Sequence, residues 1–215
     1  NFTYSGSHMA SIQPIHKETA EQNEPVNLSD RAIDNLRFIR ETMERSTHFT
    51  AVPGYGGMLM GVTAVAAAFI ANSQIYLRDS LMTWLIEAAL AFAIGLLAMW
   101  QKSKIAGTSL LSAPSKKFAM SFAPPLIVGV AIVLGVWRYG DYYAMPAICM
   151  LCYGAAVVCG GAFSAKVVPV MGWCFIVLGA VAFALPSNYG NLMMGASFGG
   201  LHIIFGAIIA RRYGG

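Results

Sequence analysis

Polar and apolar positions change their pattern near residue 51. Residues 12–50 mix charged and polar side chains with scattered apolar ones, whereas from Tyr55 onward apolar residues run in long blocks separated by short polar turns. About 20 apolar residues carry a helix across a bilayer core. Six blocks meet that length, at about 55–75, 81–100, 118–137, 143–163, 167–185 and 191–210. Three breaks carry turn formers: Leu77-Arg78-Asp79-Ser80, Arg138-Tyr139-Gly140-Asp141 and Pro186-Ser187-Asn188-Tyr189-Gly190. The break at 101–117 is longer and basic. The pattern predicts an all-α integral membrane protein of six transmembrane helices, with residues 55–215 as the membrane domain.

The stretch ahead of it reads differently. Gly6-Ser7-His8-Met9-Ala10-Ser11 matches an expression-vector remnant, so residues 1–11 are set aside. Residues 12–54 form a polar segment, expected in the cytoplasm. A helix over about 28–48, capped by Asn27 or Ser29, would line up Ile33, Leu36, Ile39 or Arg40, and Met43 along one side. Its other face pairs Asp34, Glu41 and Glu44 with Arg37 and Arg45, too balanced to act as a polybasic lipid anchor. An amphipathic helix docking on its own membrane domain is the expectation. The segment 12–50 has no secretory signal pattern, so the first span is expected to be an uncleaved anchor.

Composition sharpens the membrane reading. The 215 residues are 57% hydrophobic and 11% charged, against about a quarter charged in soluble domains. Beyond residue 50 the acidic residues are Asp79, Glu87 and Asp141 alone. With the N-terminus inside, the cytoplasmic parts hold Lys17, Arg31, Arg37, Arg40, Arg45, Lys102, Lys104, Lys116, Lys117, Lys166, Arg211 and Arg212, and the far side holds Arg78 and Arg138. Such a bias sets orientation, because translocating Lys and Arg is disfavoured. Both termini are expected in the cytoplasm. The net charge of +4 then reports topology and gives no reason to expect nucleic acid; the lipid bilayer is the expected partner, and a homo-oligomer fits the same pattern.

The membrane domain repeats itself. Odd spans share Met60-Gly61-Val62, Val128-Gly129-Val130 and Met171-Gly172-Trp173. Even spans share a small residue, a glycine six positions on and then a basic residue: Ala89/Gly95/Lys102, Gly154/Gly160/Lys166 and Gly200/Gly206/Arg212. Three tandem helical hairpins would produce this spacing. The run Gly172–Arg212, with Gly-Trp, Leu-Gly, Ala-Leu-Pro, Gly-Leu-His-Ile-Ile-Phe-Gly and Arg-Arg in order, resembles the hairpin repeat of the small HdeD-like bacterial membrane proteins. That resemblance implies a bacterial inner-membrane protein connected with stress resistance, and it carries no catalytic residue.

Few residues invite chemistry. Gly57, Gly61, Gly154, Gly160, Gly200 and Gly206 are expected to pack helices, since small side chains let backbones approach in lipid. Pro124-Pro125 should bend or begin the third span. Glu87 lies inside the second span, about 9 Å from its outer end at 1.5 Å per residue, and His202 lies near the middle of the sixth. Ionisable groups at such depths pair, face a wet cavity or relay protons or cations; a buried hydrogen bond that fixes packing is the plainer alternative. All four cysteines fall within spans, which leaves no exported disulfide framework. Cys149-Met150-Leu151-Cys152-Tyr153 is similar to the redox motif of the DsbB-type quinone-linked proteins, which implies a thiol–disulfide oxidoreductase with a quinone cofactor. A soft Cu(I) site built from Cys159, Cys174 and methionines is equally readable as ordinary packing.

Three functions follow from different features. A non-enzymatic transporter, channel or stress factor handling a small solute or ion uses Glu87 and His202 and needs no cofactor. An oxidoreductase uses Cys149, Cys152 and quinone, and a structural or partner-binding subunit needs neither pair. Topology is open to direct measurement. In a cysteine-free background, single cysteines at Ser80 and Asn188 should react with an impermeant thiol reagent added outside intact cells, while those at Ser103 and Ala165 should not. Reaction at the second pair would overturn the orientation.

Overall fold

The computed structural model describes residues 28–47, 52–107, 109, 111–140 and 142–214. The vector-like residues 1–11, the polar stretch 12–27, Ala51 and the turn residue Asp141 lie outside the described residues. Every regular element described is helical: α1 (Leu28–Thr47), α2 (Gly54–Asn72), α3 (Leu77–Ile105), α4 (Ala113–Tyr139), α5 (Met145–Gly161), α6 (Val167–Ala184), a 3-10 turn (Ser187–Tyr189), α7 (Gly190–Met194), a π-helical turn (Gly195–Leu201) and α8 (His202–Tyr213). The chain divides into two compact units at Met43, within α1. Ser29 falls inside the first turn of α1 rather than ahead of it, and the described side chains of that helix, residues 31–39 and Met43, are exposed.

Local sequence explains the boundaries. Ser112 precedes α4, whose first turn accepts Pro114 because its missing N–H would have no partner there. Gly140, at φ 74°, closes α4 in the left-handed conformation that glycine tolerates. Pro146 opens α5 in the same way, and Leu185-Pro186 stops α6. Pro124 and Pro125 lie well inside α4. They do not begin the third apolar helix, which already starts at Ala113.

Five helical stretches are long and apolar enough to cross a membrane: α2, α3, α4, α6 and the continuous run Ser187–Tyr213. The sixth apolar block is the shorter helix Met145–Gly161. Their outward surface is apolar. Phe69, Ile86, Phe92, Leu134 and Val177 are all more than half exposed, although soluble monomers rarely present contiguous apolar surface of this extent. These features fit a multi-pass membrane protein.

Packing sorts the helices into two triplets. The most extensive contacts join α2 to α3 and to α8 with the preceding π-turn, and α5 to α4 and α6. Each triplet therefore has a central helix, α2 or α5. Between triplets, α6 touches α7, the π-turn and α8 more sparingly, and α5 touches α7. The third expected hairpin thus does not close on itself, because α6 and α8 each pack better against another helix.

Glycine makes the two central seams. A Cβ on Gly61 would lie 2.6 Å from the Gly199 carbonyl oxygen and 2.7 Å from Ile203, while one on Gly199 would meet Val65 at 2.6 Å. In the other triplet, a Cβ on Gly172 would lie 2.8 Å from the Gly154 oxygen and 2.7 Å from Val158, and one on Gly154 would meet Ile176 at 2.9 Å. Both seams set Gly-x3-Val on the central helix (Gly61/Val65, Gly154/Val158) against Gly-x3-Ile on its neighbour (Gly199/Ile203, Gly172/Ile176). Gly206 continues the first seam against Met58, Gly57 faces Gly206, and Gly160 admits Phe118 and Phe122 of α4. Gly200 has nothing within 4 Å of its Cβ position; Gly199 occupies the seam instead.

Substitution should separate these positions. Gly61→Ala and Gly154→Ala place a methyl against backbone that cannot yield, so each should cost at least about 1–3 kcal/mol by overpacking. Gly200→Ala, set in open space, should be neutral or slightly stabilising. Thermal unfolding of the three variants in one detergent measures the difference; equal effects would show that the seams are not close-packed.

Candidate functional site: a histidine–tyrosine pair between the triplets

The sparse boundary between triplets is filled by rings. Tyr153 comes from α5, Phe175 from α6, Phe198 from the π-turn and His202 from the first position of α8. Ring centroids lie 4.9 Å apart for Tyr153–Phe175, 5.0 Å for Phe175–Phe198 and 5.1 Å for Tyr153–Phe198, within the range where tilted and edge-to-face pairs are favourable. Phe175 has no exposed surface and His202 only 6%. Phe198 stacks on the His202 imidazole at 6.2 Å with 14° between planes.

A side-chain hydrogen bond crosses this boundary. His202 Nε2 lies 2.8 Å from the Tyr153 hydroxyl, and Nδ1 lies 2.8 Å from the Phe198 carbonyl oxygen. A carbonyl only accepts, so Nδ1 carries the hydrogen and donates. In the neutral ring Nε2 is then the acceptor, and Tyr153 donates to it. Both nitrogens are satisfied in a site that would otherwise leave a polar ring unpaired among apolar groups. The preceding π-turn is a conformation found as single widened turns, frequently at functional sites. Within it the buried Ser197 hydroxyl donates to the Met193 carbonyl at 2.8 Å, supplying a local partner where the ladder is altered.

Glu87 belongs to a different pair. Its Oε1 accepts from Thr63 Oγ1 at 2.8 Å, while the same hydroxyl lies 2.9 Å from the Met60 carbonyl. One hydroxyl hydrogen serves only one of these acceptors at a time; a neutral carboxyl would donate to Thr63 and free the hydroxyl for Met60. Helix α2 stands between the two candidates. It turns Gly56, Met60 and Thr63 toward α3, and Gly54, Gly57 and Gly61 toward α8 and the π-turn. Among the described residues no hydrogen bond joins Glu87 to His202, so the structure holds them as two separate pairs.

Two further polar clamps went unread in the sequence. Asn191 Oδ1, at the start of α7, accepts from Ser80 Oγ at 2.9 Å and Trp84 Nε1 at 3.0 Å, which fastens α3 to α7. At the opposite end Lys102 Nζ donates to the carbonyls of Val52, Tyr213 and Gly214, joining α3 to the approach to α2 and to the end of α8. A cation there also suits the negative end of the α8 dipole. A polar residue inside an apolar block was the available signal for Thr63 and Asn191. Nothing local marked Tyr153 as the partner of His202.

Cys149, Cys152 and Cys174 are half-buried and Cys159 is exposed. Cys149 packs against the central apolar cluster, and a Cβ on Gly129 would lie 2.7 Å from Cys152 Cβ. All four thiols are free. Among the described residues no three of His, Cys, Asp and Glu gather closely enough to hold a metal. A cleft of about 340 Å³ opens between the start of α5, the end of α6 and α7, lined by Tyr143, Pro146, Ala147, Phe183, Tyr189 and Met193 among others. Neither cysteine of the Cys149/Cys152 motif lines it, nor do Glu87 and His202. A second cleft, about 460 Å³, lies between α6 and α8 near their Val167 and Arg212 ends. Comparison with protein families, with curated proteins and with solved structures finds no match, so function rests on this geometry.

The two pairs should respond differently to substitution. Tyr153→Phe leaves Nε2 of a buried imidazole without its donor and should cost about 1–3 kcal/mol. Glu87→Gln keeps a donor and an acceptor opposite Thr63 and should change stability by less than that. Thermal unfolding of both variants tests the assignment, and an unaffected Tyr153→Phe protein would contradict it.

Proposed function

We propose that this chain is a small, non-enzymatic transporter of the bacterial inner membrane, in which a solute or ion passes between two rigid three-helix halves. The supporting observation is the contrast between seams and boundary. Inside each triplet glycines bring backbones into contact, while between triplets the backbones stand apart, one buried side-chain cluster fills the space and the Tyr153–His202 hydrogen bond crosses it. Rigid bodies meeting at a sparse interface are the geometry that rocking or hinged closure uses. The cleft beside Met193 opens between α5 and α6 of one triplet and α7 of the other. His202 can act as a latch because protonation at Nε2 turns its acceptor into a donor, which the Tyr153 hydroxyl must then turn to meet.

This reading carries six spans, with both termini in the cytoplasm. The short helix α5 counts as a span because it runs antiparallel to both neighbours. Its Cys152 meets Gly129 and its Gly160 meets Phe122 on α4, while its Leu151 meets Gly179 and its Gly161 meets Pro169 on α6. A membrane slightly thinned around it accommodates 17 residues at modest cost. The filled aromatic centre favours a second reading, a structural subunit with no pathway.

Water access decides between them. In a cysteine-free background, single cysteines at Met193 and Phe198 are exposed to an impermeant thiol reagent outside cells or oriented vesicles. A transporter should label at both, with Phe198 slower and accelerated by Tyr153→Phe, which opens the latch. If Phe198 never labels, with or without Tyr153→Phe, the structural reading stands and the transport reading falls.

A further inference from the structure

The cleft between α6 and α8 is not used by the transport reading. Its walls are Val167 and Val170 on α6 and Phe205 and Ile208 on α8, and its rim carries Arg211 and Arg212. The walls are apolar and the exposed Val170 opens them laterally, whereas both arginines are exposed at one end. Lys166, also exposed, immediately precedes Val167. Among the described residues no carboxylate pairs with either arginine, and the described acidic residues of the membrane domain, Asp79 and Glu87, lie on α3. The gap exists because α6 packs on α5 and α8 packs on α2, leaving these two helices in sparse contact.

We infer that this groove binds one anionic glycerophospholipid, its phosphate on Arg211 and Arg212 and an acyl chain along Val170, Phe205 and Ile208. Guanidinium matches a phosphate with paired N–H donors, and basic pockets between transmembrane helices take anionic headgroups. A volume of about 460 Å³ lies within the range of about 300–1,000 Å³ that ligand sites occupy. A free phosphate would use the arginines and leave the apolar walls without a role, so the lipid is the occupant. By filling the gap, it would join α6 of one triplet to α8 of the other.

Native mass spectrometry of the full-length protein in detergent tests this, with phosphatidylglycerol and phosphatidylcholine of identical acyl chains as probes. Wild type should retain phosphatidylglycerol at least about tenfold better. That preference should disappear in Arg211→Gln/Arg212→Gln and persist in Lys116→Gln/Lys117→Gln. Ile208→Trp, which fills the groove and keeps both arginines, should weaken retention of phosphatidylglycerol. Equal retention of the two lipids by wild type would overturn the inference, as would equal loss in the two charge variants, which would indicate general electrostatics. Displacement of the lipid by inorganic phosphate at millimolar concentration would mean an anion site without a lipid.

Discussion

In lipid, apolar side chains gain little by leaving one apolar environment for another, so helices must be held by how closely their backbones approach. Gly61 against Gly199 and Gly172 against Gly154 supply that approach here, with contacts that a single methyl group would break. The rest of the arrangement depends on them. They make α2 and α5 the central helix of each triplet, and they draw α8 away from α6 toward α2. The third chain-adjacent pair is left slack as a result, and both clefts open beside α6.

The same constraint explains where polar groups sit. Thr63 lies on the face of α2 turned from the glycine seam and there meets Glu87 of α3, and Lys102 and Asn191 tie opposite ends of α3 to the run that contains α7 and α8. These bonds lie within one triplet and reinforce it. The Tyr153–His202 bond lies between triplets, where aromatic rings replace backbone contact. Side chains rather than backbones meet there, so the helices of the two triplets stand farther apart than those within a seam, which gives the boundary its proposed role.

Hydropathy and charge are properties of the chain taken in order, and what depends on them was legible. The helical class, the apolar blocks, the polar segment ahead of them and the special standing of Glu87 and His202 all came from counting along the sequence. The repeat spacing also pointed to Gly61, Gly154 and Gly206, which lie at close backbone approaches.

Pairing across the bundle was decided by the tertiary structure alone. Spacing singled out Gly200, but the π-turn changes the register by inserting an extra residue in one turn, and Gly199 faces α2. Hairpin order placed α6 beside α8, yet each found a partner it could approach more closely. Glu87 and His202 looked like a pair because they are the two ionisable groups deep in apolar blocks. The intervening α2 gives each a separate partner, Thr63 and Tyr153. Sequence position sets which residues a helix carries and roughly how deep they lie. Which face meets which neighbour follows from the closest backbone approach available across the whole bundle, and no single span contains that information.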